Sequence, residues 1–286
     1  MSTQITTAFV EQYKSNVIQL AQQKGSRLRD TVRYESVTGK NHFFERIGST
    51  AARKRTSRHS DTPRMDTPHS RRRVSLDDYD WADLVDQEDK VRLLITPQSE
   101  YAMAGANAMG RAMDDALISA ATGNAYGGVS GGSTVVLPAG QKIAHGSAGL
   151  TVAKLLSAKE VLDSAEVDPD EPRFCILASS QVTDLLNTTE VKSSDFNTVK
   201  ALAQGEINSY LGFKFIRSQR LGTDSNGNRQ VLVFTSTGLG LAVGADIQTR
   251  ISERDDKNYA TQVFLSMSIG ATRIEDEKVV EIACTE

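Results

Sequence analysis

Few side chains in this sequence are spaced for chemistry, and each candidate has a simpler structural use. The four histidines are His42, His59, His69 and His145. Two lie in an arm poor in apolar residues, one near its base and one in a glycine-rich loop, so none has the rigid setting that acid–base work or metal ligation requires. Of the two cysteines, Cys175 falls in the apolar run "RFCILAS", where a thiol packs as a small hydrophobe, and Cys284 is far from it. Both are expected to be free and reduced. Ser130 in "GGVSGG" imitates a nucleophile elbow, but "VVLPAG" follows where a helix is needed. Asp224, Asn226 and Asn228 alternate as in a calcium loop, yet Arg229 and Thr235 stand where that loop needs glycine and glutamate. A hairpin turn is the better reading. "RRRVS" offers Ser75 to a basophilic kinase, a short pattern that recurs by chance. No phosphate-binding glycine loop is present. The chain is expected to be no enzyme, with no catalytic residue, cofactor or metal.

What remains is a binding chemistry. Between Arg46 and Arg73 the bases are Arg46, Arg53, Lys54, Arg55, Arg58, Arg64, Arg71, Arg72 and Arg73, against Asp61 and Asp66. An acidic run follows at once: Asp77, Asp78, Asp80, Asp83, Asp86, Glu88 and Asp89. The whole chain carries a net charge of −3, so positive charge is local and the molecule as a whole is not built to embrace polyphosphate. Residues 51–73 hold no Phe, Tyr or Trp, which argues against stacking on single-stranded nucleic acid. Opposite charges on neighbouring stretches suit a tiling contact, in which the basic residues of one copy meet the acidic residues of the next. One exposed ion pair contributes about 0–1 kcal/mol, so such a contact matters only when repeated. Arg71, Arg72 and Arg73 are the expected anchors, because arginine's planar fork pairs bidentately with carboxylates.

The elements that must carry these charges can be read from periodicity. At 286 residues, 39 % hydrophobic and 24 % charged, the chain can bury a sizeable core. It has no signal-peptide pattern and no apolar run of about 20 residues to span a membrane. Phe9, Tyr13, Val17 and Leu20 form one helical face within residues 1–30. Residues 31–50 read as short strands around a turn at Gly39, and 31–85 as one out-and-back ribbon. The clearest helix is "PQSEYAMAGANAMGRAMDDALISAATG", with Pro97 at its start, Gly123 at its stop and a stripe of Ala102, Ala106, Met109, Met113, Leu117 and Ala120. A glycine-rich loop with one short strand comes next. A second helix over 151–167 has Thr151 as N-cap, and "SSQVTDLLN" is a short helix capped by Ser179 or Ser180. Strands follow, with charged hairpin tips at Glu253–Lys257 and Glu275–Lys278. The class is α+β.

In this order the segments resemble the tailed-bacteriophage major capsid protein family, Hong Kong 97-like in fold and shared with encapsulin shells. "LLITPQSEYAMAGANAMGRAMDDALISAATG" is similar to the family's lead-in and spine helix, down to the acidic pair Asp114-Asp115. "GEINSYLGFKFIRSQRL" resembles its G-x-x-x-x-L-G-F segment, and "GATRIEDEKVVEI" its closing strands. The resemblance implies an N-terminal arm (1–30), an extended loop (31–85), a peripheral domain (86–125 and 246–286, with spine helix 98–122) and an axial domain (126–245). It implies a structural protein that self-assembles through pentamers and hexamers into an icosahedral head around double-stranded DNA. Implied partners are further copies of itself, a separate scaffolding protein, a portal protein, DNA on the inner face and a decoration or cement protein, but no membrane. The implied location is the virion capsid, assembled in the host cytoplasm. Arg53, Lys54, Arg55, Arg58, Arg71, Arg72 and Arg73 are expected to contact a neighbouring subunit, and the acidic run to receive them. Some family members crosslink the loop through a lysine; here it is mainly arginine, and crosslinking is not carried over. An encapsulin-like compartment and a nucleic-acid-binding protein using residues 46–73 remain as alternatives.

Overall fold

The computed structural model describes residues 22–55, 57–58, 61–62, 64–86, 98–187 and 209–286. The amphipathic face expected over Phe9 to Leu20 lies outside them, as do Glu88 and Asp89. The long helix, α1, runs Gln98–Thr122, as its stripe and its flanking Pro97 and Gly123 predict. Met109, Met113, Leu117 and Ala121 are buried along it.

Helix α1 packs on a four-stranded sheet made of β1 (Arg33–Ser36), β12 (Leu239–Arg254), β13 (Ala260–Arg273) and β4 (Asp77–Val85), in that order. The contact is close because small residues line the helix. A Cβ placed on Gly105 would sit 2.6 Å from the Trp81 ring and 2.7 Å from Leu265. Strand β4 alternates, with Tyr79, Trp81 and Val85 turned inward and Asp78, Asp80 and Ala82 exposed. It pairs with β13 from Thr261↔Val85 to Ile269↔Asp77, so it is an edge strand of this sheet and not the return limb of a ribbon.

The ribbon is shorter than the expected 31–85. Strands β2 (Asn41–Ile47) and β3 (His69–Ser75) pair antiparallel from Asn41↔Ser75 to Ile47↔His69. The described residues between β2 and β3 form its tip, closed at the base by a bond from Gly48 N to Pro68 O of 2.8 Å. Two short strands from the glycine-rich stretch, β5 (Ala125–Gly127) and β6 (Ser133–Val135), extend it into the sheet β2-β3-β5-β6. Phe44 and Val74 pack beneath it with Val37, Ala242 and Ile274 as a small separate core.

The third sheet has the order β7-β14-β11-β8-β10-β9, with β7 (Lys142–Ile143), β8 (Arg173–Leu177), β9 (Ser209–Tyr210), β10 (Phe213–Arg217), β11 (Arg229–Thr235) and β14 (Val279–Cys284). Its centre is apolar on both faces: Cys175, Val231, Val233, Val279, Val280 and Ile282 are all sealed. Helices α2 (Val152–Ser164) and α3 (Ser179–Asn187) belong to this half of the chain. The Thr151 side chain caps α2, accepting from Lys154 N at 3.3 Å, as expected. Neither serine caps α3: Ser179 is its first residue and accepts from Gln219, while Ser180 donates to Glu286.

The sheets do not respect the boundaries expected from chain position. Strand β14, placed with 246–286 in one peripheral unit, is a central strand of the six-stranded sheet. Strand β12 begins at Leu239, inside the stretch assigned to the axial unit, and pairs with β13 instead. Residues 275–278 are therefore no hairpin tip. A 3-10 turn at Asp276–Lys278 carries the chain from one sheet to another. The tip at 253–257 is as expected, with β12 and β13 meeting around a 3-10 turn at Asp255–Lys257.

Candidate assembly interface

Alternation along β3 divides the arginine triplet. On "HSRRRVS", Arg72 shares a face with Val74 while Arg71 and Arg73 take the other. Arg72 is 4 % exposed; its guanidinium pairs with Asp276, and its Nε lies 3.4 Å from Ile274 O. Burial pushes the pKa of Arg72 down against the pull of Asp276. Arg72 thus holds the ribbon to its own subunit and is not available to a neighbour, contrary to the expectation for it. Arg71 pairs across the ribbon with Glu45 at 3.0 Å and lies over Phe43. Arg73 lies over Tyr126 and crowds Gly131, where a Cβ would stand 2.6 Å from Arg73 Cβ. All three have partners inside the chain.

The same carboxylate organises a larger junction. Asp276 also receives Arg273 Nε at 2.5 Å. Arg273, fully buried, donates onward to the carbonyls of Ala121 at 3.0 Å, Gly123 at 2.8 Å and Val135 at 3.0 Å. Its charge therefore sits on the open C-terminal carbonyls of α1, where the helix dipole favours a cation. Arg46 adds a bond to Ile274 O at 2.8 Å. Ribbon, spine helix and the turn between β13 and β14 meet at one ionic knot. Sequence reasoning missed it, although alternation from Val74 would have placed Arg72 on the buried face.

The tip of the ribbon differs. Arg53, Lys54, Arg55 and Arg58 are exposed and none has a carboxylate partner among the described residues. Arg55 reaches no further than Ser57 O, at 2.8 Å. The ten steps of chain from Gly48 to Arg58 can extend at most about 36 Å. Of the acidic run, Asp77, Asp78 and Asp80 are exposed on β4, Asp83 and Asp86 are half-buried, and Asp83 is bonded by Leu84 N at 2.9 Å. Asp77, Asp78, Asp80 and Asp83 lie on an edge strand with no second partner among the described residues, and their charge also protects it from indiscriminate strand pairing.

A second ionic system lies on α1. Buried Asp114 accepts from Ser26 Oγ at 2.6 Å, Gln23 Nε2 at 2.5 Å, Arg27 N at 3.1 Å and Leu28 N at 3.2 Å. Asn107 takes Gly25 N at 3.0 Å. At about 100° per residue these positions face roughly away from Gly105, so α1 is sandwiched between its sheet and residues 22–28. Asp115 instead takes the fork of Arg220, near the start of the loop after β10. The acidic pair fastens two segments to one turn of helix.

The chemical candidates have structural explanations. Cys175 and Cys284 are buried and free, and burial raises both thiols, Cys284 to about 11. Ser130 is exposed in the β5–β6 turn, with no helix after it. Ser75 follows arginines already engaged in the fold and donates to Asn41 at 2.8 Å. Asp224 spends its carboxylate on Asn226 N at 2.8 Å, Asn228 N at 2.9 Å and Asn228 Nδ2 at 2.9 Å, closing a turn. His42 meets Glu35 at 2.8 Å; His69 and His145 lie in separate places, and His59 is outside the described residues. Among the described residues no three metal-ligating side chains cluster, and no helix is long and apolar enough to cross a membrane.

A family model described as phage capsid protein matches residues 5–286. No curated protein matches the sequence. Among solved structures, the capsid of cyanophage P-SCSP1u is similar with a TM-score of 0.74 and 19 % identity, over 99 % of this chain and 94 % of that one. The capsid of Ralstonia phage GP4 gives 0.73 and 10 %, over 96 % and 94 %. The capsid of a native GTA particle gives 0.68 and 14 %, over 98 % and 96 %. At these identities the likeness is one of fold.

Proposed function

The chain belongs to the phage capsid protein family, and from that premise we propose how its charges build a shell. It is a structural major capsid protein of Hong Kong 97-like fold, not an enzyme, and it self-assembles into an icosahedral shell around DNA. In the proposed assembly, pentamers and hexamers form around the six-stranded sheet, which would be the axial domain. The sheet carrying α1 would be the peripheral domain. The ribbon tip of one subunit lies on the acidic β4 edge of the next.

The observation that carries the contact is the division of the ribbon's charge. Arg71, Arg72 and Arg73 are engaged within their own chain, while Arg53, Lys54, Arg55 and Arg58 are exposed without carboxylates among the described residues. The base is thus stiff and the tip is chemically open. Each tip contact contributes about 1 kcal/mol or less, but a closed shell repeats it at every subunit. Further partners fit the assembled lattice: a scaffolding protein during growth in the host cytoplasm, a portal, a decoration protein and the packaged duplex.

Sedimentation of the purified chain with electron microscopy tests the reading. Megadalton closed shells are expected, and a chain that stays monomeric at high concentration and near-physiological salt would overturn it.

A further inference from the structure

A second concentration of positive charge lies far from the ribbon tip in sequence, and the fold assembles it from separate segments. Lys24, Arg27 and Arg29 come from the segment held by Asp114, Arg111 from α1, and Arg217 and Arg220 from the end of β10 and its loop. Hydrogen bonds tie Arg27 to the end of β10, Arg111 to the segment at Gln22 and Gln23, and Arg220 to α1; Lys24 follows Gln23 in sequence. Arg27 donates to the carbonyl of Arg217. Arg111 donates to Gln22 Oε1 at 2.8 Å and Gln23 O at 3.2 Å. Arg220 forks onto Asp115, itself four residues along the helix from Arg111.

Bases outnumber carboxylates here, although exposed Asp77 approaches one side, acting on Tyr79 together with Asp115. Asp115 and Asp246 each neutralise one base, Arg220 and Arg29, and Asp114 is sealed beneath the segment. Lys24, Arg27, Arg111 and Arg217 have no carboxylate partner among the described residues, against the one exposed carboxylate of residues 22–31, Asp30. Arg27 and Arg111 are held by neutral oxygens, which orient a guanidinium without cancelling its charge. Lys24, Arg27 and Arg217 are exposed. Tyr34, an aromatic beside the patch, already lies under Arg29 at 5.4 Å, so it offers the bases no free stacking face.

We propose that this patch is the subunit's contact with the phosphate backbone of packaged double-stranded DNA. The inference rests on the shell reading and adds to it which face of the subunit looks inward. Fixed arginines with unspent charge and no free face at Tyr34 suit a duplex backbone, which is bound by charge and without sequence preference. The ribbon tip, by contrast, serves the neighbouring subunit. The two basic regions of one acidic protein thus have different polyanions: a nucleic acid for the patch and a carboxylate edge for the tip.

The test measures binding of dilute, unassembled full-length chain to a short duplex of mixed sequence across a salt series. Wild type binds, with log affinity falling linearly in log salt. Lys24→Gln/Arg27→Gln/Arg217→Gln lowers low-salt affinity by about tenfold or more and reduces the slope by roughly 0.9 for each phosphate no longer neutralised. Arg53→Gln/Lys54→Gln/Arg55→Gln/Arg58→Gln fails to close shells and, because those bases are free in unassembled chain, lowers the slope by no more than their own share, leaving the patch's share in place. Should the triple variant not fold, Lys24→Gln/Arg217→Gln, which alters two exposed side chains, decides in its place. The proposal is overturned if wild type ignores duplex at low salt, if the patch variant keeps the full slope, or if the ribbon variant alone loses it. Failure of the shell reading shows separately, as wild-type chain that never sediments as particles.

Discussion

Arg72, on the returning strand of the ribbon, gives its guanidinium to Asp276 within the same subunit, and both side chains are almost sealed from solvent. Asp276 is shared with Arg273, so its removal and the removal of Arg72 are unequal events. Asp276→Asn leaves two buried guanidiniums without a carboxylate and is expected to cost about 3–5 kcal/mol. Arg72→Met leaves Asp276 still paired with Arg273 and is expected to cost about 1–3 kcal/mol. Denaturant unfolding of unassembled subunits checks the order. Equal losses would mean the shared carboxylate is not the centre of the junction.

Asp114 fastens the segment before β1 to the spine helix with four different donors. Asp114→Ala strips all of them of their acceptor. The segment should then detach before the rest of the fold, and trypsin should cut after Lys24 and Arg27 many times faster than in wild type. Unchanged cleavage there would show that other contacts hold it.

Gly110 carries a prediction opposite to helix propensity. A Cβ there would run into Gly25 C and stand 2.5 Å from Ser26 N, both backbone atoms that cannot swing aside. Alanine gains roughly 1 kcal/mol in an open helix. Here overpacking costs about 1–3 kcal/mol or more, and the clash should win. A raised thermal midpoint for Gly110→Ala would contradict the close approach.

Acid should weaken the fold through carboxylates already engaged. Arg229, Ser180 and Gln181 hold Glu286 down to about 2, from an ordinary 4.5. Burial alone would raise Glu171, but the hydroxyl and N–H of Thr237 and the ammonium of Lys278 outweigh it, so it too titrates below its ordinary value. With both folded-state values depressed, the stabilisation is whole above the unfolded value and is lost as pH falls below it. The thermal midpoint should therefore drop as pH falls below about 4.5, and Glu171→Gln should flatten part of that drop while lowering stability at neutral pH. Glu286 is close to solvent and contributes under about 1 kcal/mol. An identical acid profile in Glu171→Gln would rule out its role.

Local pattern and long-range pairing were unequally legible in the sequence. Spine helix 98–122 is written locally, in a stripe of period 3.6 between a proline and a glycine, and the structure returns it at the same residues. The Thr151 cap and the tip at 253–257 are local too. Sheet membership is not. Strand β14 follows β13 after a short turn, and nothing in "VVEIAC" says that its partners are β11 and β7. The tip and the acidic edge were legible as charge, whereas the Arg72–Asp276 pair joins residues 204 apart. A triplet of arginines on a strand is two faces, and only the neighbouring valine marks which one is buried.

The central claim is that the ribbon's open bases grip the acidic edge of an adjacent copy, and charge reversal with rescue tests it most directly. Arg53→Glu/Lys54→Glu/Arg55→Glu/Arg58→Glu should give folded chain that sediments as small oligomers. Adding Asp77→Lys/Asp78→Lys/Asp80→Lys to the same chain should restore megadalton shells. Normal shells from the reversed tip alone, seen in the same sedimentation run, would contradict the account.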